Sequence, residues 1–278
     1  MSLKINTNPV SDFSTYRSQK TQKGLAESLE RLSTGKKINK ASDDAAGMVI
    51  ANTLKSQSNG FIQAIKNAND AVSITQVADG ALGQASDLVQ DIRIKAIQAA
   101  SAAQSPESLQ AIQADITKNL ESLKSIADTT AFNGQQLLSG TFTDKEFQVG
   151  VLPGETVDIS LGSIDPAMIA TGTTGTLADI DVTTPEGAAA AIEFSDSALD
   201  YIGQQRSEVG AVMNRLESSI NNLSNSQIST LKSESEIQDL DFAEESAILN
   251  RIKLLSKAQS FAQNQANTTA KKVMDIFN

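Results

Sequence analysis

The chain has 278 residues, carries a net charge of −10 and contains no Cys, His or Trp. Without thiols or imidazoles it has no disulfide, thiolate nucleophile or imidazole ligand, which excludes most metal and nucleophile–base catalysis. An acidic chain without a basic block is a poor nucleic-acid binder, and no apolar run reaches the about 18 residues that span a bilayer. The first residues also lack the apolar core and cleavage site of a Sec signal peptide.

The N-terminal segment, Ile5 to Leu32, predicts a helix with a narrow apolar face in a polar background. Its apolar positions are Val10, Phe13, Leu25, Leu29 and Leu32. Because a helix in water is stabilised mainly by the packing of its apolar face, we expect this segment to need a partner.

Two long helices are predicted next, packed antiparallel on one another. The first runs from Asp43 to Ala99, a range without proline that would extend roughly 80 Å. Its apolar residues recur at steps of three and four: Ala71, Ile74, Ala78, Ala81, Ala85, Leu88, Ile92, Ala96 and Ala99. Ser105-Pro106-Glu107 then begins another helix with an N-cap, a proline and an acid in the first turn. The short connection between the two favours antiparallel packing.

A β-hairpin is predicted after the third helix. Two short runs of alternating apolar residues, 147–151 and 157–161, flank Pro153-Gly154, a pair typical of a type II turn. Residues 163–184 are rich in Gly, Thr, Asp and Ala, and we interpret them as a surface connection. A fourth long helix is predicted to begin at Pro185 and to end at a polar, acidic joint, residues 233–241.

The C-terminal segment, Leu240 to Asn278, predicts a fifth helix with a thin apolar stripe. The stripe consists of Ile248, Ile252, Leu255, Ala258, Ala262, Ala266, Thr269, Val273 and Ile276. Neither terminal stripe is wide enough for an independent core, so we expect pairing end to end and subunit to subunit, with the stripes covered mainly by other copies of the chain. Packing within a single bundle is the alternative. The predicted fold is mainly α, an elongated bundle of long antiparallel helices with one β-hairpin.

Specific sequence motifs lie in both halves of the chain. The first half contains ERLSTGKKIN at residues 30–39, ASDDAAG at 41–47, NANDA at 67–71 and FNG at 132–134. FQVG at residues 147–150, IQDLDFA at 237–243 and AQNQAN at 262–267 follow. In their order and spacing these motifs resemble bacterial flagellin, over nearly all of the chain except about residues 163–184.

The resemblance implies a structural subunit that self-assembles into the helical flagellar filament for motility. In flagellins the two termini form an α-helical coiled-coil domain in the filament core, and the middle helices and hairpin form the next shell. The implied filament-core segments are residues 1–42 and 236–278, the shell segments are 43–162 and 185–235, and residues 163–184 replace variable outer domains. The residues expected to pack in the filament core are Val10, Phe13, Leu25, Leu29, Leu32, Ile248, Ile252, Leu255, Ala262, Val273 and Ile276.

The resemblance also implies partners and a location. Flagellins leave the cell unfolded through the flagellar type III export apparatus, which would place this chain in the extracellular filament. Their C-terminal helix binds an export chaperone, and the filament meets hook–filament junction and cap proteins. We expect no cofactor, no metal, no nucleic acid and no membrane insertion. Thr171 to Thr176 is expected to be a plain linker, with O-linked sugars as the alternative.

Many flagellins are recognised by vertebrate toll-like receptor 5 through an exposed patch on the second helix and its antiparallel neighbour. In recognised members the matching stretch reads QRVRELA, whereas residues 90–96 of this chain read QDIRIKA. The positions concerned are Asp91, Arg93, Ile94, Lys95 and, on the neighbouring helix, Asp115. A charge reversal and a lost apolar anchor predict a weak receptor contact. Alternatively, these are ordinary solvated or intersubunit positions.

Two other classes of function are considered beside the filament subunit. A hook–filament junction protein shares related terminal segments but would stop at few copies, and the complete motifs at residues 43–47 and 67–70 favour flagellin. An enzyme is not expected, because residues 163–184 are too few to hold a catalytic domain. Adjacent acids such as Asp43-Asp44 or Glu244-Glu245 point to different sides of a helix and do not form an acid–base pair.

Overall fold

Five helices make up most of the described chain. The computed structural model describes residues 9–169 and 175–276, except for the side chains of residues 270 and 273–276. The helices are α1 (Pro9–Thr34), α2 (Ala45–Ala99), α3 (Pro106–Thr129), α4 (Pro185–Gln238) and α5 (Phe242–Ile276). The strands are β1 (Ala131–Phe132), β2 (Gln135–Gln136), β3 (Lys145–Gln148) and β4 (Thr156–Ile159). The predicted mainly α class is confirmed.

The chain forms two compact units. The first unit combines the two ends of the chain, residues 1–58 and 229–278, and the second unit comprises residues 59–228. The filament-core borders inferred from the sequence, after residue 42 and before residue 236, stay predictions, because they refer to layers of an assembly and not to contacts within one chain.

Alanines allow helices α2, α3 and α4 to pack closely in the second unit. The α2 residues without exposed surface include Ala68, Ala71, Ala78, Ala85 and Ala96. Larger side chains fill the space between the helices, among them Leu82, Ile92, Ile116, Leu123, Ile202 and Leu216. The Nε of Arg206 lies 3.0 Å from the Oδ1 of Asp79, and Arg93 pairs with Asp196, so α2 and α4 run antiparallel.

The start of α3 agrees with the sequence prediction. The hydroxyl of Ser105 accepts a hydrogen bond from the backbone N–H of Ser108 at 3.2 Å, and Pro106 occupies the first turn. The N-cap satisfies one of the N–H groups that the first turn leaves without a helical partner.

The predicted hairpin is confirmed, but it is not alone. β3 pairs antiparallel with β4, with Phe147 opposite Val157. Gly154 has a φ of +88°, as position i+2 of a type II turn requires. A second pair, β1 and β2, is joined by Asn133 and Gly134, both with positive φ. Two successive left-handed residues are typical of the tight type I′ hairpin turn, so the prediction of one hairpin was incomplete.

The connection between the hairpin and α4 packs several apolar residues into the second unit, and its interpretation as a surface connection that replaces variable domains stays a prediction. Its buried apolar residues include Ile164, Ile169, Leu177, Ile180 and Val182. These apolar residues are widely spaced among Gly, Thr and Asp, so neither helix nor strand periodicity marked them. Of the linker Thr171 to Thr176, residues 171–174 lie outside the described residues.

Polar contacts with α3 hold this connection in place. The side-chain amide of Gln113 donates to the carbonyl of Ile180 at 2.9 Å and accepts from the N–H of Val182 at 2.8 Å. The Nζ of Lys124 lies 2.9 Å from Asp165 Oδ2. Gln113 thereby satisfies two backbone groups beside buried apolar residues, where unpaired groups are costly.

A short backbone bridge in the first unit fixes the ends of the terminal helices. Lys36 and Asp239 form an isolated antiparallel bridge, and the N–H of Leu240 donates to the carbonyl of Gly35 at 3.0 Å. Gly35 has a φ of +70°, the left-handed conformation that commonly ends a helix. The joint predicted at residues 233–241 is shorter in the structure, because α4 continues through most of that range.

Candidate assembly surface on the terminal helices

Helices α1 and α5 pack antiparallel in the first unit. Near the start of α1, the side-chain amide of Gln263 donates a hydrogen bond of 2.9 Å to the hydroxyl of Thr15. Near its end, the Nη1 of Arg31 lies 3.9 Å from Oε2 of Glu245, which is buried. Residues near the start of α1 therefore lie beside residues late in α5, and residues near the end of α1 lie beside the start of α5. The two ends of the chain pair, as the sequence predicted.

The seam between α1 and α5 contains many small and polar side chains. The less exposed positions of α1 include Ser11, Ser14, Ser18, Thr21, Gly24, Leu25 and Ser28, and those of α5 include Ile248, Ile252, Ser256, Gln259 and Gln263. Within the described residues, the buried Oγ of Ser28 and Oε1 of Gln259 have no hydrogen-bond partner. A buried polar group without a partner costs about 1–3 kcal/mol, so the seam is a weak internal core.

Seven large apolar side chains of the two helices are turned toward solvent. Between 48% and 73% of each is exposed in Val10, Phe13, Tyr16 and Leu29 of α1 and in Leu254, Leu255 and Phe261 of α5. At 100° per residue, Leu254, Ala258, Phe261 and Ala262 share one face of α5. We call the exposed side chains of these seven residues, together with Ala258 and Ala262, the outward face. Exposed apolar side chains gathered on one helix face, as on α5, mark an interaction site more often than isolated apolar residues do.

The residues expected to pack in the filament core fall into three groups. Val10, Phe13, Leu29, Leu255 and Ala262 are exposed. Leu25, Leu32, Ile248 and Ile252 are half-buried. Val273 and Ile276 lie at the end of α5, where the side chains are outside the described residues. Packing of the exposed group between copies of the chain stays a prediction.

The prediction from the sequence did not include three of the most exposed side chains: Tyr16, Leu254 and Phe261. It followed a single stripe along α5 at steps of three and four. Leu254 and Phe261 are seven residues apart and form a second stripe with Ala258, which a helical projection of the same segment reveals.

Acidic side chains shape the turn that follows α1 in the first unit. Asp43 accepts backbone hydrogen bonds from Lys40 at 3.0 Å and from Asn39 at 3.1 Å, and these hold the pKa of Asp43 below its usual value. The hydrogen bond of 2.7 Å to Glu30 raises the pKa of Lys40. Asp44 accepts an N–H from the first turn of α2 at 2.9 Å. The two aspartates act as turn and cap residues.

Among residues 9–169 and 175–276, no helix is long and apolar enough to cross a bilayer. The same part of the chain brings no three possible metal ligands together.

Two family models match the chain. The model for the bacterial flagellin N-terminal helical region matches residues 5–143, and the model for the C-terminal helical region matches residues 192–277. The chain belongs to the bacterial flagellin family. The resemblance inferred from the sequence motifs is thereby confirmed.

Individual relatives agree with the family assignment. A flagellin of Halalkalibacterium halodurans is 34% identical to this flagellin over 250 residues, which cover 90% of each chain. Flagellin B of Helicobacter pylori is 48% identical over 163 residues, 59% of this chain but only 32% of that protein. The chain therefore matches about a third of the length of the Helicobacter relative. A solved structure described as a flagellar hook-associated protein of Vibrio parahaemolyticus has a TM-score of 0.62 at 17% identity, covering 71% of this chain and 100% of that one, and supports the fold alone.

Both cationic side chains of the receptor-patch positions are held by carboxylates of this flagellin. The Nζ of Lys95 lies 3.0 Å from Oδ2 of Asp115 on α3, and this contact lowers the pKa of Asp115. Arg93 pairs through Nε with Asp196 on α4. These ion pairs connect α2 to α3 and α4 within the second unit. The two cationic side chains are therefore less available to pair with acidic groups of a partner.

The two remaining receptor-patch positions are open to solvent. Asp91 is exposed, and Ile94 is 54% exposed on the same helix. An acid therefore stands where the typical stretch has an arginine, and an apolar side chain where it has a glutamate.

Proposed function

We propose that this flagellin is a structural subunit that self-assembles into the helical bacterial flagellar filament. The observation that carries the proposal is the outward face, whose apolar side chains are exposed while the seam beneath them is largely polar. Burial of apolar surface is worth roughly 25 cal/mol per Å², so covering this face with other copies favours growth. A contact between different faces of successive copies gives an open helical filament when its rotation does not close into a ring.

Further partners of the filament subunit belong to the same proposal. Before assembly, an export chaperone would cover α5 over residues 248–276 and keep its apolar side chains from premature contact. Export would proceed through the flagellar type III apparatus, and the subunit would then lie in the extracellular filament between junction and cap proteins. The subunit has a structural role and no catalytic one.

Contact with toll-like receptor 5 is proposed to be weak. Asp91 would meet a receptor surface that suits an arginine, and Lys95 would replace an apolar anchor while already paired with Asp115. A like-charge juxtaposition or an unfilled apolar pocket at a central contact each lowers affinity strongly.

Seeded polymerisation tests the filament proposal. We compare the wild type with the double variant Leu254→Ser and Phe261→Ser, adding filament fragments and following growth by sedimentation and negative-stain microscopy. The matched control is Leu152→Ser with Met168→Ser, because those side chains of the second unit are equally exposed, at 64% and 66%. We expect long filaments from the wild type and the control but not from the double variant.

Two results would contradict the filament proposal. One is growth of the double variant at the rate of the wild type. The other is a wild-type protein that adds a few copies to the seeds and then stops, which is the behaviour of a junction protein.

A further inference from the structure

Two Asn-Gly pairs occur in the sequence, Asn59-Gly60 and Asn133-Gly134, and both asparagines are exposed. An asparagine followed by glycine is prone to spontaneous deamidation, because glycine has no Cβ to hinder the approach of its backbone nitrogen to the asparagine side chain. Both pairs lie in the second unit, but in different backbone settings. The structure therefore distinguishes their reactivity, which the sequence alone does not.

The fold protects the pair at Asn59. Gly60 lies inside α2, where each backbone N–H donates to the carbonyl four residues earlier. A Cβ added at Gly60 would lie 3.0 Å from Cγ1 of Val151, so α2 is also packed closely against the residues that follow β3. Rotation of the Asn59 backbone would break helical hydrogen bonds and this contact.

The turn at Asn133 has no such protection. Asn133 and Gly134 have φ values of +49° and +79° and join two strands of two residues each. Within the described residues, the N–H of Gly134 has no hydrogen-bond partner, and a Cβ added at Gly134 would meet no atom within 4 Å. Rotation about the Cα–C bond of Asn133 therefore brings its side chain to the Gly134 nitrogen without disturbing any packing.

We propose that Asn133 is a site of spontaneous deamidation in the folded subunit, whereas Asn59 is protected. The backbone nitrogen of Gly134 attacks Cγ of Asn133 and forms a C–N bond. The side-chain nitrogen leaves as ammonia, with the proton that the Gly134 nitrogen loses. Water then opens the succinimide ring at either carbonyl and leaves aspartate or isoaspartate. The inference goes beyond the filament proposal, and either can fail without the other.

Deamidation at this turn changes the second unit in two ways. Each product adds one negative charge to a unit that contains eight basic and 21 acidic residues. Isoaspartate also places an additional carbon in the backbone, which a two-residue hairpin turn does not accommodate with its strands in register. Because β2 leads directly into the buried Leu137 and Leu138, the isoaspartyl form strains a segment that is anchored in the core.

Peptide mapping of the full chain, in dilute and unassembled form, tests the inference. The protein is incubated for weeks at mildly alkaline pH, either folded or unfolded in guanidinium chloride, and is then digested with trypsin. Lysines place the two sites in separate peptides, residues 56–66 and 125–145. Mass spectrometry measures the deamidated fraction of each peptide, and a sample digested without incubation corrects for deamidation during digestion. The variant Asn133→Asp supplies the aspartyl standard, from which isoaspartate is separated by its retention time.

We expect the 125–145 peptide of the folded chain to deamidate several-fold faster than the 56–66 peptide, with isoaspartate among its products. In guanidinium chloride the two peptides should deamidate at similar rates, because the difference comes from the fold. A folded chain in which Asn133 keeps its amide as long as Asn59 does would overturn the inference. So would a ratio of the two rates that is the same in the folded and the unfolded chain.

Discussion

Gln263 of α5 and Thr15 of α1 share a hydrogen bond of 2.9 Å across 248 positions of sequence. The bond lies at the exposed edge of the seam in which a stable coiled coil would place apolar side chains. Phe261, two residues before Gln263, is 73% exposed. The polar contact holds the two ends of the chain together and leaves the large apolar side chains free for contacts outside the pair.

Two glycines in the long helices offer a test of backbone propensity. A Cβ added at Gly80 of α2 or Gly203 of α4 would meet no atom within 4 Å in the described structure. Replacing either residue by alanine should therefore raise the free energy of unfolding by about 0.5–1 kcal/mol, measured by urea denaturation. Gly47→Ala is the contrasting variant, because its Cβ would lie 2.7 Å from Ile38 Cδ1, and it should destabilise the chain. A loss of stability in both Gly80→Ala and Gly203→Ala would refute this account.

The sequence predicted the helices where local signals and periodicity agree. Ser105-Pro106 predicted where α3 begins, and the alanine-rich stripe predicted which face of α2 is buried. The structure shows both features. The packing of Ile180 and Val182 was not predictable in this way, because it depends on α3 presenting Gln113 to a segment without regular structure.

Only part of the candidate assembly surface could be predicted from the sequence. The sequence indicated that the terminal helices have thin apolar stripes and need partners. It did not indicate that Ser28 and the Oε1 of Gln259 would be buried while Phe261 stays exposed, because the rotation of one helix against another depends on packing and not on the composition of either helix.

Gln113 is expected to stabilise the connection between the hairpin and α4. Gln113→Leu removes both hydrogen bonds to the backbone of Ile180 and Val182 and should cost about 1–3 kcal/mol of unfolding free energy. Amide hydrogen exchange at Val182 should accelerate in this variant. Gln90→Leu, on the exposed side of α2, serves as the control and should leave that exchange rate unchanged. Unaltered protection of the Val182 amide in the Gln113 variant would show that the connection does not depend on the two Gln113 hydrogen bonds.

The ion pair of Lys124 and Asp165 predicts a pH dependence. The hydrogen bond from Lys124 holds the pKa of Asp165 below its usual value. A lowered folded-state pKa contributes stability above the unfolded-state pKa, and this contribution is lost as the pH falls through the folded-state pKa. The stability difference between the wild type and Lys124→Gln should therefore vanish in acid, and it should be small at neutral pH because the Lys124 side chain is 56% exposed. An NMR titration that finds the same Asp165 pKa in both proteins would disprove the coupling.

Restoring the typical receptor stretch should restore receptor activation. The triple variant D91R, I94E and K95L supplies the missing arginine, glutamate and leucine and frees Asp115 from its ion pair. We expect it to activate a toll-like receptor 5 reporter cell line at a lower concentration than the parent chain. Asp87→Arg, one helical turn earlier on the same helix, is the control and should not do so. A triple variant no more active than the parent would show that these positions do not set the response.

The most direct test of the central claim, that copies of this chain cover the outward face, is the fluorescence of Phe261→Trp. Since the sequence contains no other tryptophan, the emission reports on this position alone. Phe261 is 73% exposed, so the dilute chain should emit at the long wavelength typical of a solvated indole. Addition of filament seeds should shift the emission to shorter wavelength in step with sedimentation of the protein. Filaments that form while the emission stays at its solvated wavelength would contradict the account.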